Sequence, residues 1–196
     1  MTDRVWLVRH GSTSWTGVRW CGRTDLDLSD GGLREVARLA GRLGGVLPDE
    51  ASVLTSPARR AAETARAICL ARSGGGAVAA GVMDELAEVD FGQVDGLTWV
   101  EVELLMPEVA RTILVAEPMD WPGGESAADI DLRVRAVRER IEGSSAPLVL
   151  VSHAAILALI AGDMAATEPS RWALAPASAV ELVRDGRSWA AVGSAR

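Results

Sequence analysis

Val5-Trp6-Leu7-Val8-Arg9-His10-Gly11 and Leu148-Val149-Leu150-Val151-Ser152-His153-Ala154 follow one pattern: an apolar run, one polar residue, a histidine, then a small residue. Short apolar runs ending at Gly or Ala read as buried parallel strands, because a strand covered on both faces loses the polar alternation of a half-exposed one. Both imidazoles then emerge at carboxyl ends of strands, the edge where open α/β sheets bind ligands. These are the two histidines of the chain. A histidine alone is as readily structural as chemical. The repeated context singles out this pair.

Outward from these strands, the pattern alternates. A polar loop through Asp30 leads to a helix over Leu33 to Leu47, with Leu33, Val36, Leu39, Ala40 and Leu43 on one face. Pro48-Asp49 ends it, and Ala51 to Thr55 reads as a strand. Ser56 is placed to cap the next helix, with Pro57 at its first position, running through Ala71 into a Ser73-Gly74-Gly75-Gly76 turn. A short strand over Ala77 to Val82 precedes an acidic loop over Asp84 to Asp95. Helices are expected over Trp99 to Met106, over Ala127 to Ile141 behind a Ser126 cap, and over Ala155 to Ala161. The runs Ala179 to Val183 and Trp189 to Val192 flank Arg184-Asp185-Gly186-Arg187, where Asp-Gly favours a hairpin. Alternating strands and helices predict an α/β fold: a three-layer α/β/α sandwich whose mostly parallel sheet has an antiparallel edge. With no internal repeat or linker, residues 1–196 read as one domain.

A chain of 196 residues, 48% hydrophobic, can bury one sizeable core. No run approaches the roughly 18 apolar residues of a membrane helix. Met1-Thr2-Asp3-Arg4 leads directly into the first strand without a secretory pattern, so a cytoplasmic protein without a membrane partner is expected. A net charge of −7 argues against a nucleic-acid partner, which needs a basic face. Cys21 and Cys69 are too few for a disulfide framework and lack metal-ligand spacing, so they read as small buried thiols. Partners should be small molecules or proteins, and a homodimer is left open.

The chemistry gathers at strand ends. Arg9-His10-Gly11 sets a planar cation beside an imidazole, followed by a residue whose missing Cβ lets an anion approach the backbone. Arg59-Arg60 sits in the first turn of a helix, where the macrodipole repels cations, so an anion held nearby is implied for at least one of them.

Leu7-Val8-Arg9-His10-Gly11-Ser12-Thr13, Ser56-Pro57-Ala58-Arg59-Arg60-Ala61, Glu85-Leu86-Ala87-Glu88-Val89-Asp90-Phe91-Gly92, Gly123-Gly124-Glu125-Ser126 and Val151-Ser152-His153-Ala154 resemble, in order, the signatures of the histidine phosphatase, or phosphoglycerate-mutase-like, superfamily. The resemblance implies His10 as the nucleophile that forms a phosphohistidine, with Arg9, Arg60 and His153 around the phosphoryl oxygens. His153 would donate a hydrogen bond or carry positive charge. It assigns the proton donor to Glu88, with Glu85 second and Asp90 third in order. Gly11, Thr16, Gly22, Arg23 and Ala154 are expected to bind substrate, Glu125 to position, and the helix after His153 to offer its amides to an anion. No metal and no other cofactor is implied.

This chain departs from the family pattern at Ser12, Thr16, Ala154 and Val94-Asp95-Gly96, where the family often has an acidic residue or Thr, Asn, Gly and Trp-Glu-Gly. Arg19, Arg23 and Arg59 lie near the expected pocket mouth, and Trp15, Trp20, Trp99 and Trp121 in or near loops. A tryptophan face can stack on a ring, although most tryptophans pack. The reading that follows is a metal-independent phosphomonoesterase for a small phosphorylated metabolite, such as a sugar phosphate or a nucleotide-like α-ribazole phosphate. A phosphoglycerate-type mutase, longer in this family at its C-terminus, is the alternative. A noncatalytic phosphate-binding module comes third, since every catalytic position has a candidate.

Overall fold

β1 (Arg4–Arg9) and β4 (Leu148–Ser152) lie side by side and parallel, with Arg9 registered opposite Ser152. The computed structural model describes residues 3–72, 79–186 and 188–195. On the far side of β4 lie β2 (Ser52–Thr55) and β3 (Gly81–Val82), both parallel to it. On the far side of β1, β5 (Ala179–Asp185) and β6 (Ser188–Ala195) run antiparallel as a hairpin. The sheet order is β3-β2-β4-β1-β5-β6. The chain leaves β1 toward β2 and leaves β4 toward β5, in opposite directions. Adjacent strands that diverge in this way open a crevice at their carboxyl ends, and His10 and His153 stand at that crevice.

The alternating side chains of β1 serve two cores. Trp6 and Val8 face α1 (Asp30–Gly44) and α2 (Arg59–Arg72), packing with Val36, Leu39, Leu43, Ala65 and Ile68. Val5 and Leu7 face α5 (Ala127–Glu142) and α6 (Ala154–Ala165), packing with Val137, Ile141, Ile156 and Ile160. This is the expected three-layer sandwich. Each fully buried aliphatic side chain contributes roughly 1.5–3 kcal/mol. A third cluster, around Val89, Phe91, Val94 and Val102, joins the loop after β3 to α3 (Trp99–Leu105) and α4 (Pro107–Leu114). Among the described residues, no helix is long and apolar enough to cross a membrane.

Local details differ from expectation. α1 starts at Asp30 and ends at Gly44, because Ser29 caps it by accepting from Gly32 N at 3.0 Å. Gly31-Gly32 disguised that start, and Leu33, assigned to the buried face, is 43% exposed. Ser56 does not begin α2; Ser56, Pro57 and Ala58 precede a helix that starts at Arg59. α4 was not anticipated, although Pro107 at its first turn is a start signal. α6 begins at Ala154 and continues past Gly162 to Ala165. The expected Ser73–Gly76 turn, the first two residues of the expected Ala77–Val82 strand and Arg187 of the hairpin lie outside the described residues; β3 is described over Gly81–Val82.

Candidate active site

His10 N donates to Ser152 O at 3.0 Å and Ser56 N to Val151 O at 2.9 Å, so the segments leaving β1, β2 and β4 converge on one point of the sheet edge. The rings of His10 and His153 meet edge-on with centroids 4.9 Å apart. His10 Nδ1 lies 2.7 Å from Gly11 O. A carbonyl only accepts, so Nδ1 carries the proton and Nε2 presents a lone pair. Burial pushes the pKa of His10 down to about 3; the Gly11 carbonyl opposes this, and the cations of Arg60 and Arg9 add to it. His10 is therefore neutral at ordinary pH, as an attacking nitrogen must be.

His153 is oriented the other way. Arg60 Nε donates to its Nδ1 at 3.2 Å, which leaves Nε2 to carry the proton toward Ser56 Oγ at 2.7 Å. Burial, His10 and three arginines hold its pKa well below the usual imidazole range. Positive charge at the site thus comes from the arginines, and His153 has a single ring proton to offer.

Arg60 is 1% exposed, and its other donors meet Thr24 O at 2.8 Å and Gly22 O at 2.9 Å. These hydrogen-bond partners are neutral, although buried charges are ordinarily paired. Arg9 donates from Nη1 to Leu174 O at 2.7 Å, while its buried Nε has no partner among the described residues. Burial lowers the pKa of Arg9, against the attraction of Glu88 and Glu35. Two cations with unmet demand beside a bare imidazole nitrogen form an anion site.

Glu88 is buried at the N-terminus of α6. Its carboxylate accepts from Ala155 N at 3.2 Å, Ile156 N at 3.0 Å and Val89 N at 3.0 Å. Burial raises its pKa, opposed by those amides and by Arg60. An upward shift favours the protonated form that a general acid needs, and Glu88 lines the cavity. It also occupies amides expected to receive the substrate anion, so α6 positions the acid. Glu85 and Asp90 are partly exposed and do not line the cavity; the Asp90 carboxylate accepts from Gly92 N at 3.0 Å.

The other anticipated residues divide. Thr16 and Ala154 line the cavity with Arg9, His10 and Glu88. The Thr16 hydroxyl also accepts from Thr13 N at 2.8 Å, closing its own loop. Gly11, Gly22 and Arg23 are not in the lining, and neither are the expected phosphate-binding residues Arg60 and His153, which are buried beside His10. Gly11 is needed because a Cβ there would stand 2.6 Å from Val36 Cγ2 and 2.8 Å from Gly32 O, so its missing side chain admits α1. Gly22 supports Arg60 through its carbonyl, and a Cβ there would strike Val89 O at 2.7 Å. Arg23 is 3.9 Å from Glu125. Arg59 is held outside by Asp25 and Asp27. Cys21, expected to be buried, is half-buried and lines the cavity; Cys69 is buried.

Three supports escaped the sequence reading. Asp95 accepts from Gly22 N at 2.8 Å and from Thr24 N and Oγ1, both at 2.9 Å, and so fixes the loop whose carbonyls hold Arg60. Its acidic identity, retained where the family often has Glu, was the available signal. Arg133 pairs with Glu125 at 2.5 Å and donates to Glu85 O and Ala87 O, both at 2.8 Å, steadying the segment that carries Glu88. The Ser56 hydroxyl, read as a helix cap, instead meets His153. Glu125, expected to position, pairs with Arg133 and accepts from Asp90 N at 3.2 Å.

The family model for the histidine phosphatase superfamily (branch 1) matches residues 5–195. A bifunctional protein of Mycobacterium tuberculosis is 39% identical over 160 residues, 76% of this chain and 41% of that relative. The chain thus spans about two-fifths of the length of the first curated relatives it matches. An acid phosphatase of the same species is 36% identical over 161 residues, 76% of this chain and 70% of the relative. A solved mycobacterial glucosyl-3-phosphoglycerate phosphatase, complexed with VO3, superposes with a TM-score of 0.83 at 26% identity, covering 97% of this chain and 98% of that one.

Proposed function

Because the chain belongs to the histidine phosphatase superfamily, branch 1, we propose that it is a phosphatase that hydrolyses a small phosphorylated metabolite through a phosphohistidine, without a metal ion. The observation that carries this reading is the site's charge pattern: a buried Arg60 bonded to neutral partners, an unpartnered Arg9 Nε, and a neutral His10. A phosphate monoester supplies a directly bonded anion, which neither arginine has among the described residues; Glu88 and Glu35 attract only from longer range.

His10 Nε2 attacks phosphorus as the ester P–O bond breaks, and the departing alkoxide takes the proton of Glu88. Water then attacks phosphorus, the P–N bond breaks, and the water's proton passes to Glu88. Inorganic phosphate leaves, with both His10 and Glu88 restored. Arg9 and Arg60 hold the equatorial oxygens, where the transition-state charge is spread. His153 holds Arg60 by accepting its Nε–H, with its one ring proton directed at Ser56 Oγ. In this reading Thr16 and the amide of Ala154, both from the cavity lining, donate to the phosphoryl group.

The test is phosphate release from p-nitrophenyl phosphate with EDTA present, for wild type and His10→Ala. Hydrolysis that survives the chelator and is lost in the variant is expected. Equal rates in the two proteins overturn the assignment of His10, and loss of wild-type activity to EDTA overturns metal independence.

A further inference from the structure

Beyond the phosphate site, the cavity of about 330 Å³ is walled by aromatic rings: Trp15, Trp20, Phe91 and Trp99 line it. This holds in a chain with seven Trp, one Phe and no Tyr. The wall is braced by its own hydrogen bonds. Gly96 N donates to Trp20 O and Trp20 N to Leu97 O, both at 2.9 Å, and Arg19 Nη1 donates to Gly96 O at 2.6 Å. The loop bearing Trp15 and Trp20 is thereby stitched to the segment entering α3 at Trp99. Gly96, at φ +86, runs so close to Trp15 that a Cβ there would lie 3.4 Å from the indole Cη2. Behind the wall, Phe91 meets Trp20 edge-on at 5.1 Å and Trp121 at 4.6 Å.

Packing alone would cover these rings, yet Trp15, Trp20 and Trp99 are only partly buried and border the cavity. The charges nearby point the same way. Among the described residues lining the cavity beyond Arg9 and Glu88, Arg19 is the one charged side chain, and it is engaged with Glu101 at 3.3 Å. Arg23, outside the lining, is drawn toward Glu125. A second acidic group on a substrate would therefore meet indoles and already paired cations.

Resting on the phosphatase reading above, we infer that the leaving group carries an uncharged planar ring, an arene or a heterocyclic base, that lies against these indoles, and that it lacks a second anionic group. An aromatic wall braced in this way recovers ring-stacking energy at little ordering cost. The cavity is at the small end of ligand sites, roughly 300–1,000 Å³, which suits one ring system joined to a phosphate.

Steady-state kinetics on three alkyl phosphates tests this: 2-naphthylmethyl phosphate, glycerol 3-phosphate and 3-phosphoglycerate. The naphthylmethyl ester should have the highest kcat/KM and 3-phosphoglycerate the lowest. In Trp15→Ala and Trp99→Ala, the ratio of naphthylmethyl ester to glycerol 3-phosphate should fall roughly 5- to 150-fold, mostly through KM, with Trp15→Phe recovering part of it. A preference for 3-phosphoglycerate, or an unchanged ratio in folded variants, overturns the inference. Calorimetry with naphthylmethylphosphonate and methylphosphonate on the wild type needs no turnover. If no ester is hydrolysed, the phosphatase reading fails, while tighter binding of the naphthyl compound still supports the wall and equal binding removes it.

Discussion

At the floor of the cavity, His10, which lines it, and Arg60 and His153, which are buried beside His10 and outside the lining, are carried by strand ends and a helix start packed against the sheet. At its wall, Trp15, Trp20 and Trp99 are carried by loops and a short helix stitched to one another at the rim. The floor holds polar atoms with few alternatives: three of the four ring nitrogens of the two histidines are hydrogen-bonded, and a Cβ at Gly11 would collide with α1. The wall presents ring faces on rim segments, where exchange of one side chain leaves the hydrogen-bonded backbone in place. Chemistry is therefore assigned to the rigid part and substrate selection to the part that can change.

The largest expected effect belongs to Glu88 at the floor. Glu88→Gln should lower turnover of an alkyl phosphate by about 10²- to 10⁴-fold and that of p-nitrophenyl phosphate much less, because nitrophenolate leaves without a proton. The pH profile follows from the same groups. His10 must be neutral, so kcat/KM falls as pH drops toward about 3. Glu88 must be protonated, so it also falls as pH rises through the elevated pKa of that carboxyl. The profile should be bell-shaped, and Glu88→Gln should lose its alkaline limb. Activity that climbs steadily through alkaline pH would contradict this pairing.

Arg60→Ala comes next, with an expected loss of roughly 10²- to 10³-fold in kcat through removal of a preorganised donor. The same loss on aromatic and aliphatic esters would sharpen the contrast between floor and wall. Asp95→Ala should be milder, about 10- to 100-fold, because Asp95 acts through the Gly22–Thr24 carbonyls that hold Arg60. Partial recovery in Asp95→Glu, with normal folding by circular dichroism, would mark a positioning role. The smallest expected effect is on stability: Gly11→Ala should cost about 1–3 kcal/mol in urea unfolding through overpacking against Gly32 and Val36. Unchanged stability with lost activity would return Gly11 to the phosphate.

The floor was far more legible in the sequence than the wall or its supports. Two apolar runs ending in histidine announced buried strands, and burial of both faces is a strong constraint on residue type. What the side chains then touched was not legible. Ser56 follows a strand and precedes Pro57, the local pattern of a helix cap, yet the approach of His153 from 97 positions away claims its hydroxyl. Arg59 and Arg60 are adjacent and alike in type, and only the helical turn separates them, sending one to Asp25 and the other into the core. Leu33 fits the buried stripe of α1 by spacing, but the Ser29 cap starts the helix earlier and leaves it outside. α4 was hidden because it is only eight residues long and its start directly follows α3. For the wall, tryptophan content was visible, but which rings border the cavity depends on the pairing of Trp20 with Gly96 and Leu97, a contact distant in sequence.

The central claim is that His10 attacks and His153 supports. Rapid-quench mass spectrometry of the protein turning over a phosphate ester, with the modified residue identified in wild type, His10→Ala and His153→Ala, tests it most directly. The account predicts a phosphoryl group on His10 in wild type, none in His10→Ala, and a slowly formed adduct still on His10 in His153→Ala. A phosphoryl group trapped on His153, or full turnover in His10→Ala, would contradict it.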